Sequence, residues 1–410
     1  MSGMPRNLFF SAISAGSAAL LLVLSILITN VLGQEAWGDF SVVLALSTIG
    51  EALMDFGIHQ VTIRSIARER GRASELFRNS LALKALPGAA TFLALSAFAF
   101  WKLDTPDLRN AALLMLASAV LRSYLLTVRG VLQGLEHFAD DSIVVVADRL
   151  AVLMLGAVAI GLGYGLVGIA AAFLAARCLA VACALAVVHR HVGAPRPAFD
   201  TAIWSDLQRR AMPLGAFLIL LNVYSYIDTI ILHALSDSFE TGLYNSAYKA
   251  YEGLTYAPAI LSAVVTPRLS SLWNVDRAAH CGLVRKSLGA SIGLAAVLAV
   301  AAWHAGPFVL RIFGPEAPLA TNALRILAVG LPFVFVIWIL HAVAISVFEE
   351  RWLFRTTLVG SIANIGLNFY LIPEYGRDGA AAATVVGELL SMLILLWALR
   401  KIIWPPAVAR

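Results

Sequence analysis

Apolar residues in this chain arrive in runs of about twenty, not in the alternating or one-sided patterns of soluble strands and helices. The runs cover 8–32, 39–59, 80–100, 110–134, 142–162 and 164–188, then 211–233, 242–264, 287–309, 323–347, 353–372 and 378–399. A run of that length crosses a ~30 Å hydrocarbon core as a helix, because a helix satisfies its own backbone hydrogen bonds in lipid. A membrane β-barrel would alternate in units of ~10 residues instead. The first run is too long for the apolar region of a signal peptide and no small-residue cleavage site precedes Gly33, so it counts as a span. The pattern predicts an all-α membrane protein with twelve transmembrane helices.

Composition agrees. Hydrophobic residues make up 60% of the chain, charged residues 13%, and the mean hydropathy is +0.83; soluble domains carry about 25% charged residues. Orientation follows from lysine and arginine. The N-terminus, the even-numbered loops and the C-terminus hold nineteen of the thirty, from Arg6 through the 64–78 and 268–286 groups to Arg410, while the odd-numbered loops hold Lys102, Arg109, Arg311 and Arg377. Both termini are therefore expected in the cytoplasm. The net charge of +5 fits loops facing anionic membrane lipid and not nucleic acid. Cys178 and Cys183 share an apolar span and Cys281 falls in a basic loop, so no disulfide framework is expected. The histidines show no HxxxH or HExxH spacing, and neither a metal site nor a cofactor is expected. Outer loops of at most about fourteen residues leave no room for an active site, so the chain is expected to be no enzyme.

The halves echo one another. Gly38-x-Phe40 and Gly242-x-Tyr244 open the second and eighth spans, with Arg64 and Arg268 each twenty-six residues after the glycine. Leu108-Arg109 recurs as Leu324-Arg325. Tyr164-Gly165-x-x-Gly168-x-Ala170-Ala171 recurs as Tyr375-Gly376-x-x-Gly379-x-Ala381-Ala382. Three matches in one order predict two six-helix lobes of equal topology, 1–188 and 211–410, joined by a cytoplasmic linker at 189–210 that carries Pro195 and Pro197. That is a transporter architecture.

Charges at membrane depth cost about 2.5–3.5 kcal/mol on insertion scales and face a cavity or a partner. Glu51 and Asp55 share a face at i, i+4; Arg122, Arg129 and Gln133 form a stripe on the fourth span; Arg149 and Arg177 lie inside the fifth and sixth. Lys84 is deep enough to face a cavity or shallow enough to snorkel. Asp148 is placed to neutralise Arg129. In the second half Asp228 and Lys249 stand at similar depth and are placed to pair, with Glu252 nearby. Tyr244, Tyr248 and Tyr251 suit an interfacial belt, or, for Tyr248 and Tyr251, a cavity handling sugar rings. Five cations in the first half (Lys84, Arg122, Arg129, Arg149 and Arg177) exceed the three acids Glu51, Asp55 and Asp148, an imbalance that suits an anion such as phosphate.

These residues carry a family resemblance over nearly the whole chain. Asp55-Phe56-Gly57 before Arg64, the arginines ahead of Gln133-Gly134, Pro213, Asp228, Tyr244-Asn245-x-Ala247-Tyr248-Lys249, Pro258, Pro267-Arg268, Phe313-Gly314-Pro315 and the paired YGxxGxAA segments resemble a Wzx-type polysaccharide flippase of the multidrug/oligosaccharidyl-lipid/polysaccharide (MOP) exporter superfamily. The resemblance implies MOP/MATE-like lobes around an alternately opening cavity in the bacterial cell inner membrane. It implies an undecaprenyl-diphosphate-linked oligosaccharide as cargo, with glycan polymerase machinery as a further partner. By position, Arg122, Arg129, Arg149 and Lys249 would be the cationic cavity residues, with Asp55 and Asp228 as acidic partners. The lipid II flippase branch has two further helices, which argues against a peptidoglycan role. An ion-coupled multidrug antiporter of the same superfamily is the alternative; it would want acids and aromatics where the first lobe is rich in arginine.

Overall fold

The computed structural model describes residues 16–17, 19–193, 196–349 and 351–404. Every regular element among them is helical. Among the described residues nine helices are long and apolar enough to cross a membrane, against twelve expected spans. Large apolar side chains such as Leu86 (79% exposed) and Trp101 (75%) point outward, as a lipid-facing surface requires. The chain forms two compact units, Met1–Tyr226 and Ile227–Arg410.

The first unit contains α1 (Ala19–Asp55), α2 (Ile58–Arg68), α3 (Ala73–Leu83), α4 (Ala85–Lys102), α5 (Pro106–Gly134), α6 (Phe138–Gly161), α7 (Gly165–Val192) and most of α8 (Thr201–Leu235). The hub is α5, which packs on α1, α2, α4 and α7. It starts where Pro106 presets the first turn and the Thr105 hydroxyl accepts the Leu108 N–H at 3.2 Å. The first two expected spans form one helix, α1, interrupted at Gly33 (φ +88°). The expected span 39–59 ends early: Phe56 (φ +47°) and Gly57 (φ +74°) turn the chain into α2. A β-carbon on Gly57 would stand 2.8 Å from the Gly215 amide of α8, so both the backbone angle and the close helix approach require glycine there.

The stretch 189–210 is only partly a linker. Residues 189–192 finish α7, and 201–210 begin α8. Between them the Ala198 N–H donates to Arg78 O (3.1 Å), Arg78 Nε to Arg196 O (2.7 Å), and Asp200 N–H to Asn79 Oδ1 (2.9 Å), which stitches the connection to α3. The division between compact units falls later, inside α8. Pro195, the first residues of the expected first span, Arg6 and Arg410 lie outside the described residues.

The second unit contains α9 (Ser238–Trp273), α10 (Arg277–Leu310), α11 (Thr321–Ser346) and α12 (Arg351–Ile403), with α11 as the hub against α9, α10 and α12. The expected basic loop 268–286 is mostly helical: Asp276 caps α10 by accepting the Ala279 N–H at 2.8 Å, leaving a turn at 274–276. Cys281 is thus buried in α10 and not in a loop.

The repeated Tyr-Gly-x-x-Gly segments perform one task in both units. Gly376 (φ +53°, ψ −130°) breaks α12, and a β-carbon on Gly379 would lie 2.5 Å from Leu371 O. Eight residues of straight helix span about 12 Å, so the chain folds back at Gly376. In the first unit Gly163 and Gly165 take φ +76° and +59°, and a β-carbon on Gly168 would meet that of Ala159 at 3.5 Å. The first glycine of each motif supplies the left-handed backbone and the second the close approach.

Candidate cation-lined site

The first unit holds a ladder of ion pairs at membrane depth. Asp55, at the end of α1, is its most connected member. Lys84, between α3 and α4, gives a hydrogen to Asp55 Oδ1 at 2.5 Å, and Nζ also reaches Ser123 O (2.6 Å) and Thr127 Oγ1 (2.7 Å). The other Asp55 oxygen takes the Gly57 N–H at 3.1 Å and sits 2.6 Å from His59 Nδ1. The Asp55-Phe56-Gly57 motif is therefore a turn held by its own aspartate. Lys84 does not snorkel, since its side chain is 1% exposed. Glu51, one helical turn away from Asp55, takes a different partner, Arg122 Nε at 2.7 Å.

Asp148 does not neutralise Arg129. It accepts from Arg177, with Arg122 Nη1 at 4.0 Å. Arg129 is bound instead by Asp141, through Nε at 2.7 Å and Nη2 at 3.2 Å, and Gln133 Nε2 joins the same carboxylate at 2.9 Å. The reason is depth. Consecutive α5 and α6 share an end, so Arg129, near the close of α5, meets the first turn of α6. Asp148 is two turns deeper. Because α6 begins at Phe138, ahead of the expected span at 142, Asp141 belongs to the helix and escaped the sequence count. Among the described residues acids therefore cover at least four of the five cations, not at most three. Arg149 Nη1 donates to Ser17 Oγ at 2.6 Å. Arg122, Arg129, Asp148 and Arg149 converge on a small recess floored by Leu125, Leu126 and Val145. Arg122 and Arg129 keep 31% and 19% of their side chains exposed, whereas Arg177 keeps 4%.

The second unit is built differently. Asp228 accepts from the Tyr244 hydroxyl and from the Thr229 N–H at 2.8 Å. Lys249 pairs with Glu252 at 2.7 Å and not with Asp228. Five residues separate Tyr244 from Lys249, about 140° around α9, so one helix cannot turn both toward Asp228. Tyr244, Tyr248 and Tyr251 form a run of rings with centroids 5.9 and 6.0 Å apart. Tyr244 and Tyr251 are buried (0% and 2% exposed), which overturns the interfacial belt and removes Tyr251 from a sugar-facing surface in this conformation. Its hydroxyl donates to Glu388 Oε1 at 2.7 Å. Glu388 Oε2 is buried with no hydrogen-bond partner among the described residues, in space that a side chain at position 330 would fill. The sequence reading passed over Glu388, although an acid eleven residues into the expected last span meets the same depth rule that selected the others.

The sequence profile described as "Polysaccharide biosynthesis protein" matches residues 5–273, more than half of the chain, and one described as "MatE" matches 213–370. A curated relative, "Probable flippase AglR" of Haloferax volcanii, is 29% identical over 45% of this chain and 40% of its own length. An uncharacterized membrane protein of Methanocaldococcus jannaschii is 22% identical over 48% and 46%. The chain thus aligns with less than half the length of these relatives. Among solved structures, an inward-facing multidrug resistance MATE family transporter of the MOP superfamily superposes with a TM-score of 0.79 at 16% identity, covering 96% of both chains. The lipid II flippase MurJ in its inward closed conformation gives 0.75 at 15%, covering 96% of this chain and 87% of that one. The solved structures establish a MATE-like fold, the long apolar helices a multi-pass membrane protein, and by the profile match the chain belongs to the polysaccharide biosynthesis protein family.

Proposed function

We propose that the protein is a flippase that moves an undecaprenyl-diphosphate-linked oligosaccharide from the cytoplasmic to the outer leaflet of a bacterial inner membrane, for assembly of a surface polysaccharide downstream by a glycan polymerase. The observation that carries this reading is the recess where Arg122, Arg129 and Arg149 converge, partly exposed, at membrane depth. Guanidinium forks suit the oxygens of a diphosphate, and the polyprenyl tail has no need to leave the bilayer. Glu51, Asp141 and Asp148 serve as resident counter-ions that a diphosphate displaces or joins. Lys84 and Arg177, sealed in buried pairs, hold the lobe together and do not meet cargo. Lys249 and Tyr248 remain partly exposed in the second unit and are proposed as contacts for the glycan. The nine long apolar helices fit a twelve-crossing path when α1 and α12 each count twice at their glycine breaks and the long but more polar α9 is included, and the lysine and arginine distribution then favours both termini in the cytoplasm.

Surface glycan and membrane abundance, measured together for Arg122→Ala and Arg129→Ala, test the reading. Export should be lost at normal abundance, and lysine should rescue only in part, because it keeps the charge without the fork. Wild-type export in both alanine variants would end it. A second reading, ion-coupled drug antiport, is favoured by the MatE profile over 213–370 and by buried carboxylates in the second unit. It predicts that these variants keep glycan export and alter drug efflux.

A further inference from the structure

The cytoplasmic connections expected from the sequence held no metal signature, but the fold assembles one. His137 occupies the position just before α6 without a side-chain capping bond, Asp140 follows in the first turn, and His191 lies in the last turn of α7. These helices are joined in sequence and pack together, which brings the start of one beside the end of the other. The three side chains offer ligand atoms that all lie within 4.8 Å of one another. Asp140 Oδ2 is 3.1 Å from His191 Nε2 and 3.9 Å from His137 Nδ1. The two imidazoles lie face to face at a tilt of 30°, with centroids 4.0 Å apart.

We propose that His137, Asp140 and His191 form a binding site for a divalent transition metal, with Zn²⁺ as the representative ion. Four ligands at about 2.0–2.1 Å in a tetrahedron stand roughly 3.3 Å apart. The observed separations bracket that spacing, so rotation of exposed side chains is enough to close the site. Two imidazoles and one carboxylate suit zinc and its neighbours and do not suit Mg²⁺ or Ca²⁺, which take oxygen ligands. Three protein ligands leave a fourth position for water. All three side chains are partly exposed, at 44%, 36% and 26% for His137, Asp140 and His191, so the ion enters directly from solvent. Bound metal would clamp the start of α6 to the end of α7. It would also fix the turn carrying Asp141, the carboxylate that holds Arg129. The site stands independently of the transport reading.

The test uses the full-length protein, purified in detergent with a tag free of histidine, stripped with chelator and titrated with ZnCl₂ by calorimetry. The wild type should bind one Zn²⁺ per chain at this site and gain thermal stability in proportion to zinc concentration. His137→Ala and His191→Ala should each weaken that event on the order of 100-fold, at or above the upper range for losing an outer-shell partner, and Asp140→Asn less. His137→Asn and His191→Gln, which keep polar bulk at exposed positions, guard against a folding defect and should show the same loss. No zinc binding by the wild type, or binding of unchanged stoichiometry and affinity in the histidine variants, overturns the proposal.

Discussion

Lys84→Met separates the structural cations from those proposed to meet cargo. The substitution keeps the length of the chain and deletes the ammonium. In the folded protein Nζ makes three short bonds, to Asp55, Ser123 O and Thr127, with the lysine 1% and the aspartate 5% exposed. Removing one partner of a buried pair strands the other charge and costs about 3–5 kcal/mol. His59, 2.6 Å from the second Asp55 oxygen, can carry part of the counter-charge, which favours the lower end. Even 3 kcal/mol shifts the folded-to-unfolded ratio by roughly 100-fold, and total stabilities are only about 5–15 kcal/mol. Lys84→Met should therefore deplete the protein from the membrane and lower its thermal midpoint in detergent. Adding Asp55→Asn removes the stranded charge while leaving an acceptor for the Gly57 N–H, so the double variant should recover about 2 kcal/mol relative to the single one, a coupling within the range seen for contacting residues. Normal abundance and thermal stability of Lys84→Met, with export lost, would refute the reasoning and move Lys84 into the cargo site.

Two further outcomes are expected. In a background without native cysteines, Gly71→Cys, in the 64–78 basic group, and Ser236→Cys, between α8 and α9, both exposed, should label from opposite sides of the membrane with impermeant maleimide; labelling from the same side discards the twelve-crossing topology. Glu388→Gln should keep membrane abundance, because its amide oxygen still accepts the Tyr251 hydroxyl, but it should abolish any dependence of export on the proton or sodium gradient. An unchanged dependence would remove Glu388 from coupling.

Much of the helical fold was legible because lipid imposes one rule on every segment: about twenty apolar residues, helical. The YGxxG pair was legible as a repeat before its backbone role was visible. Three other features were not legible, for separate reasons. Partners across helices depend on register, and a start at Phe138 where 142 was expected hid Asp141 and misassigned Asp148. The break at Phe56–Gly57 falls inside the apolar run 39–59, so hydropathy cannot mark it, and the gap at 33–38 hides that a single helix runs on through Gly33. The proximity of His137 to His191 joins residues fifty-four apart in sequence, and only the packing of α6 on α7 creates it.

The two units solve the buried-charge problem in opposite ways, and this bears on how the proposed transporter divides its work. In the first, Glu51, Asp55, Asp141 and Asp148 each face a cation. An anionic cargo entering that region meets guanidiniums already oriented by carboxylates, and it must compete with them. Such competition lets cargo be released as readily as it is bound, because the resident acids reclaim their partners when it leaves. In the second, Asp228 and Glu388 are held by tyrosine hydroxyls, which orient a carboxylate but bring no positive charge. An acid placed this way is the group that a proton or a small cation can neutralise without first breaking an ion pair. Glu51 and Asp55 share a helix face and are, with Asp148 and Asp228, the sequence's candidates for coupling or charge balance. The structure gives Glu51 and Asp55 each its own cation, so coupling, where it operates, is better sought at the tyrosine-held acids.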